Sequence, residues 1–220
     1  MTVLTARDGY RLWAPHYEQE TAVSLLEASA VSELDVETRG RALLDAGCGT
    51  ARRIADATAA LAIGLDLSVD MLLAEGRKVP LTCADVCALP FAASSFDVVW
   101  CRLVVGHVRD AAAAYREFAR VCRADGNVIV TDFAPEAAAA GHRRTFQDAD
   151  GVEHVLEHFV RTDDQHAALV HAAGMAIVKQ ASGAVGPAVR DLYGASGRVD
   201  AYRLQIGLPL VRAFHVRRLR

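Results

Sequence analysis

Short apolar runs recur along the first 133 positions, each followed by a turn or by a stretch with helical periodicity. Residues 41–46, 61–66, 79–84, 96–101 and 127–133 read as five strands, most of them too continuously apolar to leave one face in water. Ahead of them Val23, Leu26, Ala30 and Leu34 repeat at near-helical spacing, which predicts an amphipathic helix over 16–34. Thr50 to Ala59 reads as the first crossover helix, and Ser68 caps a second one running to about Gly76. In 110–123, Tyr115, Phe118, Ala119 and Cys122 fall on one buried helical face, and Gly126 stops that helix.

Past residue 133 the alternation breaks. Residues 134–161 form an insertion with an alanine run. Thr162-Asp163-Asp164-Gln165 is a capping box for a helix to about Ala173, and Met175 to Ala181 is a sixth strand. Residues 184–208 hold glycines and a short helical stretch from Val189 to Tyr193, and Leu210 to Val216 is the last strand. This order predicts a doubly wound, Rossmann-like α/β fold. Its seven-stranded, mostly parallel sheet has helices on both faces and a last antiparallel strand. Without an internal repeat or a linker, 1–220 is expected to be one domain. Residues 1–40 would supply an N-terminal lid helix and 41–133 the core, and the inserts 134–161 and 184–208 would build a substrate pocket.

Composition narrows the function. The net charge of −3 gives no electrostatic call for a nucleic-acid partner. The basic end, Arg217-Arg218-Leu219-Arg220, reads as a solvated strand terminus. Five cysteines, mostly in apolar runs, fit a reducing cytoplasm, and Cys83 with Cys87 is half a metal site without its second pair. Residues 1–15 carry Arg7, Asp8 and Arg11 with no apolar core of a signal peptide, and no apolar stretch reaches membrane-spanning length.

The chemistry gathers at strand ends. Leu43-Leu44-Asp45-Ala46 runs into the turn Gly47-Cys48-Gly49, and Asp66 closes the next strand. That pattern holds an adenosine cofactor at the carboxyl edge of a parallel sheet. A dinucleotide needs a third glycine where its pyrophosphate meets the helix start, and position 52 is Arg52. S-adenosylmethionine has no pyrophosphate and tolerates bulk there. Asp66 is placed to accept from both ribose hydroxyls, Met71 to lie against adenine, and Asp85 to accept from the adenine amine.

Leu44-Asp45-Ala46-Gly47-Cys48-Gly49-Thr50, Asp66-Leu67-Ser68 with Met71-Leu72, Ala84-Asp85 with Leu89-Pro90-Phe91, and Phe96-Asp97-Val98-Val99 follow one another in order. As a set they resemble the motifs of class I S-adenosylmethionine-dependent methyltransferases, in the small-molecule branch of the ubiquinone and menaquinone C-methyltransferases. The resemblance covers about residues 10–133. It implies that Asp45, Gly47 and Gly49 hold the methionine arm, Asp66, Leu67 and Met71 the ribose and adenine, and Asp85 and Val86 the adenine. It places the backbone of Cys101 or Arg102 near the cofactor's amino group. Tyr17, in Trp13-Ala14-Pro15-His16-Tyr17, matches an N-terminal aromatic segment that folds over the sulfonium as a lid. Two positions depart from the family: Ala51 stands for the last loop glycine, and Ala124-Asp125-Gly126 for Pro-Gly-Gly.

Methyl transfer needs alignment, exclusion of water and a place for the acceptor's proton. His107 and Asp132 are the candidate catalytic bases; each also has a packing or capping reading. Arg143 and Arg144 are candidates to clamp a substrate carboxylate, and His158 to touch substrate. His154, Glu157 and His158 would share a helix, with the two histidines at metal-pair spacing, but no third ligand is evident and no metal is expected. Arg102-Leu103-Val104-Val105 stands where DNA amino-methyltransferases carry an Asn/Asp-Pro-Pro-aromatic tetrad, which argues against base methylation. The expectation is a cytoplasmic enzyme, monomer or homodimer, that methylates O, N or C of a small molecule such as a secondary metabolite or quinone-like compound. The alternatives are a nicotinamide-dependent oxidoreductase and a catalytically silent cofactor-binding module.

Overall fold

Along the strand Phe96–Arg102, Val98 and Trp100 pack on one side of the sheet, Val99 and Cys101 on the other, and all four are buried. A strand covered on both faces is the mark of a central parallel strand. The computed structural model describes residues 3–74 and 79–219. It begins with β1 (Val3–Leu4), α1 (Ala6–Trp13), a 3-10 turn and α2 (Ala22–Glu33). The core follows as β2 (Ala42–Ala46), α3 (Arg52–Ala55), β3 (Leu61–Asp66), α4 (Val69–Leu73), β4 (Leu81–Cys83), β5 (Phe96–Arg102), α5 (Ala111–Val121) and β6 (Cys122–Phe133). Then come α6 (Pro135–Ala139), β7 (Thr145–Gln147), β8 (Glu153–Leu156), α7 (Asp163–Ala172), β9 (Met175–Ala184), α8 (Arg190–Ala195), α9 (Val199–Gln205) and β10 (Pro209–Arg218).

The main sheet has seven strands in the order β4-β3-β2-β5-β6-β10-β9. β4 through β6 are parallel, and β10 runs antiparallel between β6 and β9. The expected doubly wound sheet with its last strand antiparallel is therefore present. Tyr115 and Phe118 of α5 pack on one face with Phe214; Ala30 of α2, Leu34 at its C-cap and Ile54 of α3 pack on the other with Leu43 and Ile129. Reversal of strand order between β2 and β5 opens a crevice at their carboxyl ends. Among the described residues no helix is long and apolar enough to cross a membrane.

Both flanking helices start on reciprocal caps. The Ser24 amide donates to Thr21 Oγ1 (3.1 Å) and the Thr21 amide to Ser24 Oγ (2.8 Å), so α2 begins at residue 22 rather than near 16. The expected box at α7 is present, with the Thr162 amide donating to Gln165 Oε1 at 2.9 Å. The first crossover helix is much shorter than the expected 50–59 and spans only Arg52–Ala55. The carbonyl of Thr58 accepts from the Gly40 amide (3.4 Å), which fixes the following segment as a loop. α4 ends at Leu73, and Gly76, the expected terminus, lies outside the described residues.

Residues 134–161 are not helical around the histidines. Asp150-Gly151 turns a hairpin of β7 and β8, and β1 joins it in parallel to make a second, three-stranded sheet. His154 lies on β8, while Glu157 and His158 follow in a loop. The backbone there is committed to other partners: the Glu157 amide donates to Leu4 (2.8 Å) and the Phe159 amide to Gly106 (2.7 Å). The i,i+4 histidine pair thus has no common helix face; His154 Nε2 instead meets Asp148 Oδ2 at 2.6 Å.

Candidate active site

A cavity of about 390 Å³ opens at the carboxyl ends of β2 to β5, within the roughly 300–1,000 Å³ usual for small-molecule sites. Gly47 and Gly49, Asp66 with Leu67 and Met71, Asp85 with Val86, and Arg102 form its floor. Tyr10, Tyr17 and His107 close the other side. The structure therefore gathers most of the residues singled out in the sequence.

Asp66 is held from two directions. The Gly49 amide donates to Oδ2 (2.8 Å) and the Ser68 amide to Oδ1 (2.9 Å), leaving each oxygen free lone pairs. Burial pushes its pKa above the ordinary carboxylate value, and those two amides hold part of the rise back. A Cβ at Gly49 would reach 3.1 Å from Met71 Cε and 3.6 Å from Tyr17 Cε1, which is space a ligand between them would use. Ala51, at the last loop position, is fully buried at φ +61°, a left-handed conformation costing an L-residue roughly 1–2 kcal/mol.

Asp45 and Cys101 stand behind this floor, both buried, and neither lines the cavity. Burial raises Asp45 to about 6, although Arg102 and Arg53 pull it down. The Arg102 side chain is spent elsewhere. It grips Glu27 of α2 through two bonds of 2.7 Å, with Arg53 at 3.4 Å and Thr131 Oγ1 donating at 3.0 Å. Burial raises the Glu27 carboxyl, but the guanidinium of Arg102 and then that of Arg53 outweigh it and leave it low. Glu27 is a residue the sequence reading missed.

The roof is aromatic. Tyr10 stacks on Trp13 (5.7 Å) and Trp13 on Phe146 of the hairpin (5.1 Å), with Tyr17 edge-on to both Tyr10 and Trp13. Tyr10 OH lies 3.1 Å from His107 Nε2, and His107 Nδ1 lies 2.8 Å from the carbonyl of Glu157. A carbonyl only accepts, so Nδ1 carries the proton and Nε2 accepts from the phenol. Burial, then the nearby Arg144 guanidinium, lower His107 to about 3, and burial raises Tyr10 to about 12. Tyr10 was also missed; the Thr5 cap of α1, whose hydroxyl accepts from the Asp8 amide (3.2 Å), was its available signal.

Asp132 ends β6 on the expected side but is buried behind the cavity. Its oxygens face His158 Nε2 at 3.4 Å and His166 Nε2 at 3.3 Å. Burial raises it, but the two imidazoles win and hold it well below the usual carboxylate range. A Cβ at Gly106 would come within 2.2 Å of His158 Nε2 and 2.4 Å of Asp132 Oδ1, so only glycine lets that loop pass. Arg144 and Arg143 line a second, adjoining cavity, and His158 lines neither.

Residues 44–130 match the profile of a family described as methyltransferase domain. Malonyl-[acyl-carrier protein] O-methyltransferase of Gallionella capsiferriformans is 34% identical over 147 residues, 59% of this chain and 50% of that protein. Demethylmenaquinone methyltransferase of Mycolicibacterium paratuberculosis is 37% identical over 103 residues, 46% of this chain and 45% of that protein. The chain spans about half the length of these curated relatives. The crystal structure of an S-adenosylmethionine-dependent methyltransferase from Mesorhizobium loti superposes with a TM-score of 0.67 at 22% identity, covering 88% of this chain and 98% of that one. The match to the methyltransferase domain profile thus covers residues 44–130, and the chain around them shares the fold of the Mesorhizobium loti structure.

Proposed function

We propose that the protein transfers a methyl group from S-adenosylmethionine to a small-molecule acceptor. The observation that carries this reading is the carboxylate of Asp66, fixed by two backbone amides at the tip of β3 and facing a cavity that Gly49 keeps open. When bound, S-adenosylmethionine supplies an electrophilic methyl group on a sulfonium. Asp66 would take the ribose hydroxyls and Asp85 the adenine amine, with Met71 and Val86 as apolar walls. Gly49 leaves room for the methionine arm, Gly47 lets the Val104 side chain pack against the turn, and the backbone at Arg102 borders the arm. The relatives whose printed names are methyltransferases support the reading. The four-residue α3 supports it against a nicotinamide cofactor, because so short a helix offers little dipole to a pyrophosphate.

The chain's own residues would orient and shield the reaction. Tyr10, Trp13 and Tyr17 exclude water from above. The Tyr10 hydroxyl, fixed by His107, is the group on that wall able to take the acceptor's proton while passing its own to Nε2. Asp132, through His158, serves this wall as a positioning group. We read the enzyme as one domain, cytoplasmic, monomeric or homodimeric, and without a nucleic-acid partner. Calorimetry with S-adenosylhomocysteine, followed by incubation of labelled S-adenosylmethionine with a metabolite panel, tests the reading. Micromolar binding and labelled product are expected; absence of binding overturns it.

A further inference from the structure

A second cavity of about 500 Å³ adjoins the first and shares Tyr17 and Leu103 with it. Its charge is one-sided: five arginines reach it against the single carboxylate of Glu20. Two of the five are engaged, Arg53 with Glu27 (3.4 Å) and Arg52 with the Glu18 carbonyl (3.1 Å). Among the described residues, Arg143, Arg144 and Arg198 have no carboxylate partner. In a chain whose net charge is −3, three unmatched guanidinium groups on one concavity need an explanation.

Two of the three are pre-positioned. Arg144 lies over the Phe133 ring (5.7 Å) and Arg198 over the Tyr193 ring (5.7 Å). A guanidinium held over a ring loses less freedom on binding than a free one. His142 Nε2, on the same wall, is buried without a hydrogen-bond partner. The rest of the lining is mixed: Trp13, Leu103, Phe133 and Leu210 supply apolar surface, and Gln19, Thr21, Thr145 and Ser196 supply neutral polar groups. Guanidinium groups gathered around a concavity raise the positive potential there and match the geometry of oxyanions.

We propose that this second cavity takes an acid. The methyl acceptor would carry a carboxylate or phosphate held by Arg143, Arg144 and Arg198, and its apolar body would lie against Trp13 and Phe133 toward the first cavity. This rests on the methyl-transfer reading above and adds the chemical class of the acceptor. Burial is the main cause of the lowered His107 value and the Arg144 charge the next, so an anion beside Arg144 would relieve only the second of the two.

Trp13 lines this cavity and reports on it, while the only other tryptophan, Trp100, is buried in the sheet. The full-length protein, with S-adenosylhomocysteine present, is titrated with 2-naphthoate, 1-naphthyl phosphate and methyl 2-naphthoate. Quenching by one or both acids at lower concentration than the ester is expected, and the stronger acid identifies carboxylate or phosphate as the preferred group. Arg143→Gln, Arg144→Gln and Arg198→Gln should each weaken that acid by roughly ten- to a hundredfold, as for loss of one charge-assisted bond, and leave the ester unchanged. Equal affinity for acid and ester, or indifference to all three variants, with S-adenosylhomocysteine still binding by calorimetry, overturns the acid site alone. Failure of S-adenosylhomocysteine to bind overturns the methyl-transfer reading and this one with it.

Discussion

The phenol of Tyr10 donates to Nε2 of His107 across 3.1 Å, from a helix ahead of the sheet to a loop behind the fourth core strand. The carbonyl of Glu157 occupies the other ring nitrogen, so one tautomer is fixed and the phenol and imidazole act as a unit. Tyr10→Phe and His107→Gln should each lower kcat by roughly a hundredfold, the lower end for a positioned proton-transfer group. The double variant should be no slower than either single, with binding of S-adenosylhomocysteine unchanged. Steady-state kinetics on the four proteins checks this; additive losses would mean two independent roles. Because burial and Arg144 lower His107 to about 3, the free enzyme keeps it neutral down to acid pH. The profile of kcat/KM should therefore show no histidine limb between pH 8 and 5.

Asp66→Ala should weaken S-adenosylhomocysteine binding by about 1.5–3 kcal/mol, the worth of hydrogen bonds to a charged acceptor. It also frees the amides of Gly49 and Ser68, so the loop should loosen as well. Calorimetry gives the first effect and hydrogen exchange at those amides the second. An unchanged dissociation constant would remove Asp66 from the site.

Asp45 titrates near 6 in the folded chain because it is buried. Between the ordinary carboxylate value and 6, the folded state holds a proton that the unfolded chain has released. Stability is thus highest below that window and falls as pH rises through it, by roughly 3 kcal/mol at 1.36 kcal/mol per unit. Asp45→Asn should match the parent near pH 4 and exceed it at pH 7.5. Urea unfolding at both values checks the crossing, and parallel curves would contradict it.

Glu27 joins α2 to the sheet through Arg102, and both side chains are buried. Glu27→Ala leaves two guanidinium groups without their carboxylate, which should cost about 3–5 kcal/mol. Glu27→Ala combined with Arg102→Met should recover part of the loss. A drop below 1 kcal/mol in urea unfolding would show the pair to be incidental.

Ala51 sits in left-handed backbone and Ala114 in the middle of α5, both fully buried. Glycine relieves strain at the first and adds chain entropy at both. Ala51→Gly should leave the melting temperature nearly unchanged, whereas Ala114→Gly should cost about 1–2 kcal/mol from propensity and a lost methyl contact.

The site was legible where chemistry is local. The Gly47–Gly49 turn, Asp66 and Asp85 sit at strand ends whose apolar runs announce them, and the topology brings those ends together. Glu27 was not, because its partner is 75 residues away and nothing in the helix repeat says that a guanidinium waits there. In phase it stands with Ala30 and Leu34, and a charge on a buried face was the clue. The histidines of 154–158 misled for the opposite reason. Their i,i+4 spacing imitates a helix, while Asp150-Gly151 just upstream is the stronger signal of a hairpin. Asp132 was read correctly as lying at a strand end, but sequence does not show that His158 and His166 would enclose it.

The second small sheet joins β1, at the start of the described chain, to the distant strand β8, with Val3 beside Val155, and α1 rides on that joint, where Gly9 faces Leu156. On the proposed reading, the nucleoside would be held by one continuous stretch of polypeptide, from Gly47 to Arg102, and the other reactant would be enclosed by remote ones. Exchanging the hairpin together with α1 for those of a relative is therefore a route to redirecting selectivity while the donor's berth stays intact.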